Sequence, residues 1–361
     1  MDTIRGPRTT ASVTRQFEKQ PVSPAIDANR FVISSPDQGV VGVPQVVFTR
    51  ERDTLSDFAR NYGLGYDELI AANPDVDPWL PGDNTPILLP TQFVLPDVPR
   101  EGVVLNIAAK RLFYFPADGI ERDPESGDVI RQTVLTFPIG IGRVGWETPL
   151  GMTKVVSKAK DPTWWVPISV RREHAELGDP LPSVVPPGPD NPLGHRVLKL
   201  GMPGYLIHGT NQPAGVGMRV SHGCVRLYPE NIEFLYELVD IGEPVRIVNE
   251  PYLFGRINNE WFFESHAPLA DDTIDPTDRL DAMLEARKEE FSAAAMDHVR
   301  TIASSKRGMP VRVFEYDEAE VFARMRRVEN TIVEDPEAPT IDEVREMINE
   351  AVAEAALDEG A

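Results

Sequence analysis

Residues 205–227 run Tyr-Leu-Ile-His-Gly-Thr-Asn-Gln-Pro-Ala-Gly-Val-Gly-Met-Arg-Val-Ser-His-Gly-Cys-Val-Arg-Leu, and they hold the chain's single cysteine, Cys224, with two of its six histidines, His208 and His222. A thiol acts as a nucleophile only once its proton has somewhere to go, and an imidazole is the usual acceptor. Here one imidazole precedes the sulfur by two residues and the other by sixteen, at the end of an apolar run. Gly209 follows His208 and Gly223 precedes Cys224, a pattern suited to backbone brought close to a substrate. A buried structural thiol is the plain alternative, since cysteine is commonly buried. Two imidazoles in a polar, Gly-rich frame favour catalysis over it. A zinc site fails on count: one cysteine and two histidines offer three ligands, and no carboxylate lies between His208 and Cys224. No metal and no cofactor is expected. His174, His195, His266 and His298 are scattered and read as ordinary surface or core residues.

The elements that must position these groups are mostly strands. Val103–Ile107 and Leu112–Phe115 flank Lys110-Arg111 as a hairpin, and Val134–Ile141, Thr153–Ser157, Val197–Leu200, Tyr205–Ile207 and Val245–Val248 add further strands. The Pro-rich stretch 182–192 reads as a surface loop. A helix over Pro229–Val239 follows the cysteine, with Pro229 in its first turn and Ile232, Leu235, Tyr236 and Val239 as its apolar stripe. Upstream, Val46–Phe48, a helix over Thr54–Tyr62, a second over Tyr66–Ala72 and Ile87–Pro90 give a strand–helix–helix–strand layout. Downstream, Trp261–Glu264 reads as a strand, Asp278–Ala303 as one long helix, Val311–Phe314 as a returning strand and Asp342–Leu357 as an acidic helix. The expected organisation is a disordered leader, 1–40, a small βααβ module, 44–92, the thiol-bearing domain, 99–250, a C-terminal α/β subdomain, 251–315, and an acidic helical tail, 316–361. The fold class is mainly β with α.

Composition bounds the partners. A formal charge of −21 repels nucleic acid and anionic membranes. From Glu315 to Ala361, fifteen acidic residues stand against four arginines, so roughly half of the excess is local. That tail reads as a solubility device or a surface for a basic partner. One cysteine excludes an internal disulfide. No window approaches the apolar length of a transmembrane segment, and no secretory signal is visible at Met1–Arg8.

The runs Ile207-His208-Gly209-Thr210, Gly217-Met218-Arg219-Val220 and Ser221-His222-Gly223-Cys224-Val225-Arg226-Leu227 resemble the signature of the L,D-transpeptidase (YkuD) family. Thr148-Pro149-Leu150-Gly151, Pro162-Thr163-Trp164 and Asp190-Asn191-Pro192-Leu193-Gly194 follow the order seen in the family's Gram-negative branch, whose members attach outer-membrane lipoprotein to peptidoglycan or form 3-3 cross-links. The resemblance implies a β-sandwich-like catalytic domain with the cysteine at the mouth of a cleft. It implies that Cys224 attacks the bond between residues 3 and 4 of a tetrapeptide stem, that His208 serves as base oriented by the Gly209 carbonyl, and that Gly223 and Cys224 N–H groups form an oxyanion hole. His222 either lines the substrate wall or is structural. Arg226 either holds a stem carboxylate or pairs within the fold. Ser221 and Thr210 are expected to hydrogen-bond loop backbone beside the substrate, Met218 and Arg219 to line the cleft, and Trp164, Trp165 and Tyr205 to be weaker wall candidates. Carbapenems would acylate the cysteine.

Residues 44–92 resemble the LysM carbohydrate-binding module, with Arg50-Glu51-Arg52 in place of its usual Gly-rich entrance. A small capping subdomain that binds no glycan is the other reading of that segment. The implied partners are peptidoglycan stem peptides and glycan, with a lipoprotein or another envelope protein as acceptor, and roles in cell-wall biogenesis and cell shape. The implied compartment is the periplasm. An L,D-carboxypeptidase, an amidase that releases lipoprotein, and a non-catalytic peptidoglycan-binding scaffold are the competing functions.

Overall fold

The computed structural model describes residues 17, 20–25, 27–314, 324–333, 346 and 349. They divide into two compact units. The first takes the described residues up to Asp97, Pro251–Pro268 and those of Asp272–Ala338; the second takes Val98–Glu250, Leu269–Asp271 and the described residues 346 and 349.

The first unit begins with β1 (Arg30–Ile33), β2 (Val40–Gly42), β3 (Gln45–Phe48), α1 (Leu55–Asn61), α2 (Tyr66–Ala72), β4 (Pro86–Leu89) and β5 (Gln92–Val94). Thr54 starts α1 because its hydroxyl accepts from the Asp57 N–H while the Asp57 carboxylate accepts from the Thr54 N–H, satisfying two donors that the helix itself leaves open. At the end of α2, the Asn73 amide donates to the Leu69 and Leu88 carbonyls and accepts from the Leu88 N–H, so the helix end is tied to β4. β3 and β4 pair antiparallel, which completes the expected strand–helix–helix–strand arrangement.

The second unit carries β6 (Gly102–Asn106), β7 (Arg111–Phe115), β8 (Ile120–Arg122), β9 (Val129–Pro138), β10 (Ile141–Gly142), β11 (Gly151–Lys160), β12 (Trp164–Trp165), α3 (Ile168–Glu176), β13 (Val184–Val185), β14 (Arg196–Leu200), β15 (Leu206–His208), β16 (Arg219–Ser221), β17 (Val225–Arg226), α4 (Pro229–Leu238) and β18 (Pro244–Val248). Its principal sheet runs β9-β7-β6-β18-β11-β14-β15-β17. Pairing is antiparallel except at β6–β18 and β15–β17. One sheet face is apolar: Leu198, Ile207 and Val225 join Ile232, Leu235 and Tyr236 of α4 in the core. Lys158, on that same face of β11, carries its ammonium to the end of α4, where it donates to the Tyr236 carbonyl and, at 2.6 Å, to that of Val239. Those carbonyls have no partner within the helix, so the lysine both caps α4 and holds it to the sheet.

The chain then returns to the first unit with β19 (Tyr252–Ile257), β20 (Glu260–Ser265), α5 (Pro276–Glu285), α6 (Ala293–Ser305), β21 (Val311–Arg312) and β22 (Arg326–Arg327). The molecule is mainly β with helices. Four expectations change. The single helix expected over 278–303 is two, because the Ser292 hydroxyl accepts from Ala295 N–H and starts a new helix, while the turn before it drives Phe291 into a cluster with Phe254 and Trp261. The Pro-rich loop contains β13, which pairs with β12. The leader expected to 40 ends earlier, since Arg30–Ile33 is a strand. The described part of the expected helical tail, 324–333, holds β22, which pairs with β3. The helix expected over 342–357 lies outside the described residues, apart from 346 and 349.

Candidate active site

Strand alternation places the site. Across β11, β14, β15 and β17, one row of paired residues is Ala159, Val197, His208 and Arg226, and the next is Ser157, Lys199 and Leu206. Leu206 lies one residue before Ile207, and Ile207 pairs with Val225, so the second row continues to Cys224. Side chains in these rows project from the face opposite the core. Cys224, His208 and Arg226 therefore share one surface, and all three line a cleft of about 620 Å³.

His208 is 4% exposed, and its Nδ1 lies 2.6 Å from the Gly209 carbonyl oxygen. A carbonyl can only accept, so Nδ1 carries the proton and Nε2 is the free basic nitrogen. Burial and the Arg226 guanidinium push the His208 pKa down to about 3, against the opposing pull of the Gly209 bond. Burial pushes the Cys224 thiol up to about 11, although the Leu206 backbone and Arg226 act the other way. Cys224 is half-buried, and its Sγ lies 3.6 Å from the Gly204 carbonyl oxygen. At neutral pH the resting pair is a neutral thiol beside a neutral imidazole rather than an ion pair.

The loop bearing the thiol is pinned on several sides. Ser221 Oγ donates to the Cys224 carbonyl at 2.5 Å, and Arg143 N–H donates to the Ser221 carbonyl at 2.9 Å. Thr148 Oγ1 donates to the Gly223 carbonyl at 3.0 Å while accepting from Gly142 N–H at 3.0 Å. Gly223 sits at φ +93°, and a Cβ there would come within 3.0 Å of the Tyr205 ring, so the loop needs glycine at that point. Behind the imidazole, Gly194 presses on the main chain of Gly209 and Thr210: an added Cβ would stand 2.7 Å from the Thr210 nitrogen. Asn191 holds that backing loop by donating to the Pro162 carbonyl at 2.9 Å and accepting from Leu193 N–H. The Pro162 and Asn191 motifs, 29 residues apart, are thus one structural joint.

His222 belongs to a cluster that the sequence did not reveal. Its Nε2 lies 2.7 Å from Glu173 Oε2, and Glu173 also pairs with Arg143, which is 2% exposed. Arg143 Nη1 stands 3.1 Å from the same His222 nitrogen, the Trp146 ring meets His222 edge-on at 4.9 Å between centroids, and the His174 ring lies 6.0 Å away. Burial, then the Arg143 charge, push the His222 pKa down to about 3, so it is a neutral ring whose Nε2 lies between the Glu173 carboxylate and the Arg143 guanidinium. His174 is therefore not an isolated histidine. Helix α3, which brings Glu173 and His174, carries one buried apolar residue, Val170, and so lacks the stripe that betrays a helix in sequence.

The other candidates divide. Tyr205, Trp164 and Trp165 line the cleft with Ser221 and His222. Met218, Arg219 and Thr210 do not. Met218 is buried at 5% exposure, Arg219 donates to the Gly142 carbonyl at 2.9 Å and pairs with Asp271, and the Thr210 hydroxyl accepts from Gln212 N–H. Arg219 is thus tied to the Gly142 carbonyl and to Asp271 rather than presented to the cleft. Lys199 and Trp146 are cleft residues that the motifs did not single out.

Comparison with known proteins follows the same lines. A family profile for the L,D-transpeptidase catalytic domain, YkuD, matches residues 100–247. The chain is similar to "Probable L,D-transpeptidase YcfS" of Escherichia coli (strain K12), 37% identical over 278 residues, which cover 74% of this chain and 82% of that one. It is similar to "Probable L,D-transpeptidase YbiS" of the same strain, 41% identical over 235 residues, covering 64% and 72%. Among solved structures, the catalytic domain of the E. faecium L,D-transpeptidase aligns over 42% of this chain and 100% of its own, at 21% identity and a TM-score of 0.29. The extent and identity of the curated relatives, together with the profile match over the cysteine and both histidines, establish that this chain belongs to the L,D-transpeptidase (YkuD) family, in its Gram-negative branch.

Proposed function

We propose that the chain is a peptidoglycan L,D-transpeptidase that transfers a stem-peptide acyl group through a thioester on Cys224. The observation that carries this reading is the cross-strand arrangement of a tautomer-fixed imidazole and a thiol in one cleft. As Cys224 Sγ attacks the carbonyl between residues 3 and 4 of the donor, its proton passes to His208 Nε2. The resulting imidazolium returns that proton to the amine of the departing D-alanine. An acceptor amine then attacks the thioester, gives its proton to His208, and releases the thiol. Gly223 and Cys224 N–H groups are the oxyanion donors of this scheme, each worth about 3 kcal/mol of barrier. His222 positions the loop through Glu173 and takes no proton. The acceptor is a diaminopimelate amine of another stem or a lysine of an outer-membrane lipoprotein, and the compartment is the periplasm. Residues 44–92 are read as the LysM-like part that holds glycan, and carbapenems as acylating inhibitors of Cys224.

The test is mass spectrometry of purified muropeptides incubated with the full chain, with and without a lysine-terminated acceptor peptide. Wild type is expected to release D-alanine and form a new amide, whereas Cys224→Ala does neither. Release without amide formation identifies water as acceptor, cleavage of a preformed lipoprotein link identifies an amidase, and equal digestion by Cys224→Ala leaves a scaffold. In the same preparations a carbapenem should add its mass to Cys224, and stem-free glycan oligomers should bind; an unmodified thiol under excess drug, or no glycan binding, removes the corresponding part of the reading.

A further inference from the structure

The cleft's charge is opposite in sign to that of the molecule. The chain carries −21, yet the residues lining the cleft include Lys199 and Arg226 and no aspartate or glutamate. Arg226 is half-buried and pairs with His208 in the strand register, where its charge adds to burial in lowering the imidazole pKa. Lys199 is different. It stands on β14 in the row that runs Ser157, Lys199, Leu206 and on to Cys224, and it is exposed. Among the described residues its ammonium enters no ion pair, whereas Lys158 and Lys160 on the neighbouring strand are engaged with α4.

Two interstrand spacings separate Lys199 from Cys224, so their Cα atoms are about 10 Å apart. A lysine side chain spans much of that gap, and an extended peptide advances about 3.3–3.6 Å per residue. The ammonium can thus meet a group within one or two residues of the carbonyl under attack. The groups of opposite sign at that range in an acyl-donor stem are the α-carboxylate of the departing residue and an acidic side chain on the residue before it. Both are carboxylates, and both would be desolvated against largely apolar walls, where an ammonium–carboxylate contact gains strength.

We infer that Lys199 is the carboxylate-docking residue of this cleft and sets its preference for an anionic acyl donor. The inference rests on the transpeptidase reading for the identity of the donor, and on the row geometry for the position of the charge. The role is one of binding: Lys199 touches neither the sulfur nor the reacting carbonyl.

The experiment uses the full chain as wild type, Lys199→Gln and Lys199→Arg. With a tetrapeptide donor, Lys199→Gln should raise KM about tenfold or more with kcat nearly unchanged, and Lys199→Arg should restore most of it. Donors amidated singly at the terminal carboxylate or at the side-chain carboxylate identify the one contacted, because that donor loses its sensitivity to Lys199→Gln. A second readout needs no turnover: the rate of Cys224 alkylation by iodoacetate divided by that by iodoacetamide. Lys199→Gln should lower this ratio about threefold or more while leaving the iodoacetamide rate unchanged. An unchanged ratio overturns the inference even if muropeptides are processed. A lowered ratio in a chain that processes no muropeptide upholds the charge placement and removes the transpeptidase reading instead. A fall in both alkylation rates marks a disturbed thiol and overturns the binding role.

Discussion

The reactive pair is held in its uncharged form. Nδ1 of His208 is committed to the Gly209 carbonyl, and Arg226, next in the same row, discourages a second proton on the ring. The thiol is likewise discouraged from ionising. Such a pair gains charge only when a substrate carbonyl accepts the sulfur's electrons, which protects the cysteine from adventitious electrophiles at rest. The sign of the pH dependence follows. Alkylation of Cys224 by iodoacetamide should climb about tenfold per pH unit from 7 to 10 and level off only near 11, because the thiolate fraction rises in that way. A plateau already present at pH 7 would reveal a resting ion pair and sink this picture. Donor turnover should show no inflection near 6.5, since His208 stays deprotonated down to about 3. At this scale the sequence was informative: the types and spacing of His208, Gly223 and Cys224 needed no fold to suggest a cysteine nucleophile with an imidazole base, and the family resemblance of the same motifs added acyl transfer. It did not convey the neutral resting state, because burial and the Arg226 charge arise only once β15 and β17 lie side by side.

Helix α3 is the element whose attachment matters most to the cleft. Ser169 and Val170 form part of the wall, yet Val170 is the helix's one buried apolar side chain, so packing alone holds it weakly. Glu173 supplies the rest by bridging Arg143 and His222, and through them the backbone of Ser221. Removing the bridge with Glu173→Ala leaves a buried guanidinium without its carboxylate. The expected cost is about 2 kcal/mol, below the 3–5 kcal/mol of a fully buried pair because Glu173 is 19% exposed. Hydrogen exchange of 168–176 should accelerate and donor KM should rise several-fold more than kcat falls. Unaltered exchange in that helix would show that the wall stands without the bridge. Strands with clear alternation and the stripe of α4 were readable from residue types, whereas α3 was not, since its anchoring is electrostatic and its partners lie 30 and 49 residues away. The long helix expected near 278–303 failed for the complementary reason: both halves are helical by composition, and they are separated by the Ser292 cap together with the burial of Phe291 in the turn before it.

Over the whole molecule, a buried and a half-buried histidine in one unit, both held neutral, make its stability acid-sensitive. Unfolded, His208 and His222 protonate near 6.5; folded, each does so only at about 3. Between those values the unfolded chain binds more protons, so stability is fully present above pH 6.5 and declines as pH falls towards 3. Denaturant midpoints read from the second unit should therefore drop across that window, and His208→Gln should flatten the slope by about half if the two rings contribute alike. A slope unchanged by that substitution would point to the carboxylates instead. The two-unit division itself was only half visible in the sequence. The boundary near 98 coincides with a change of pattern, but β22 and its pairing with β3 were masked by the acidic composition around them.

That pairing has a consequence for how the polypeptide matures. Val46 and Leu88 share their buried cluster with Met309 and Met325, and β3 finds its parallel neighbour at Arg326–Arg327. The amino-terminal unit thus stays unfinished until residues 325–327 have emerged from the ribosome, whereas the strands that carry the cleft, β11 to β17, have all been made well before. Trimming the carboxyl end at residue 316, which looks harmless on charge grounds, would remove a strand and a core methionine from the amino-terminal unit.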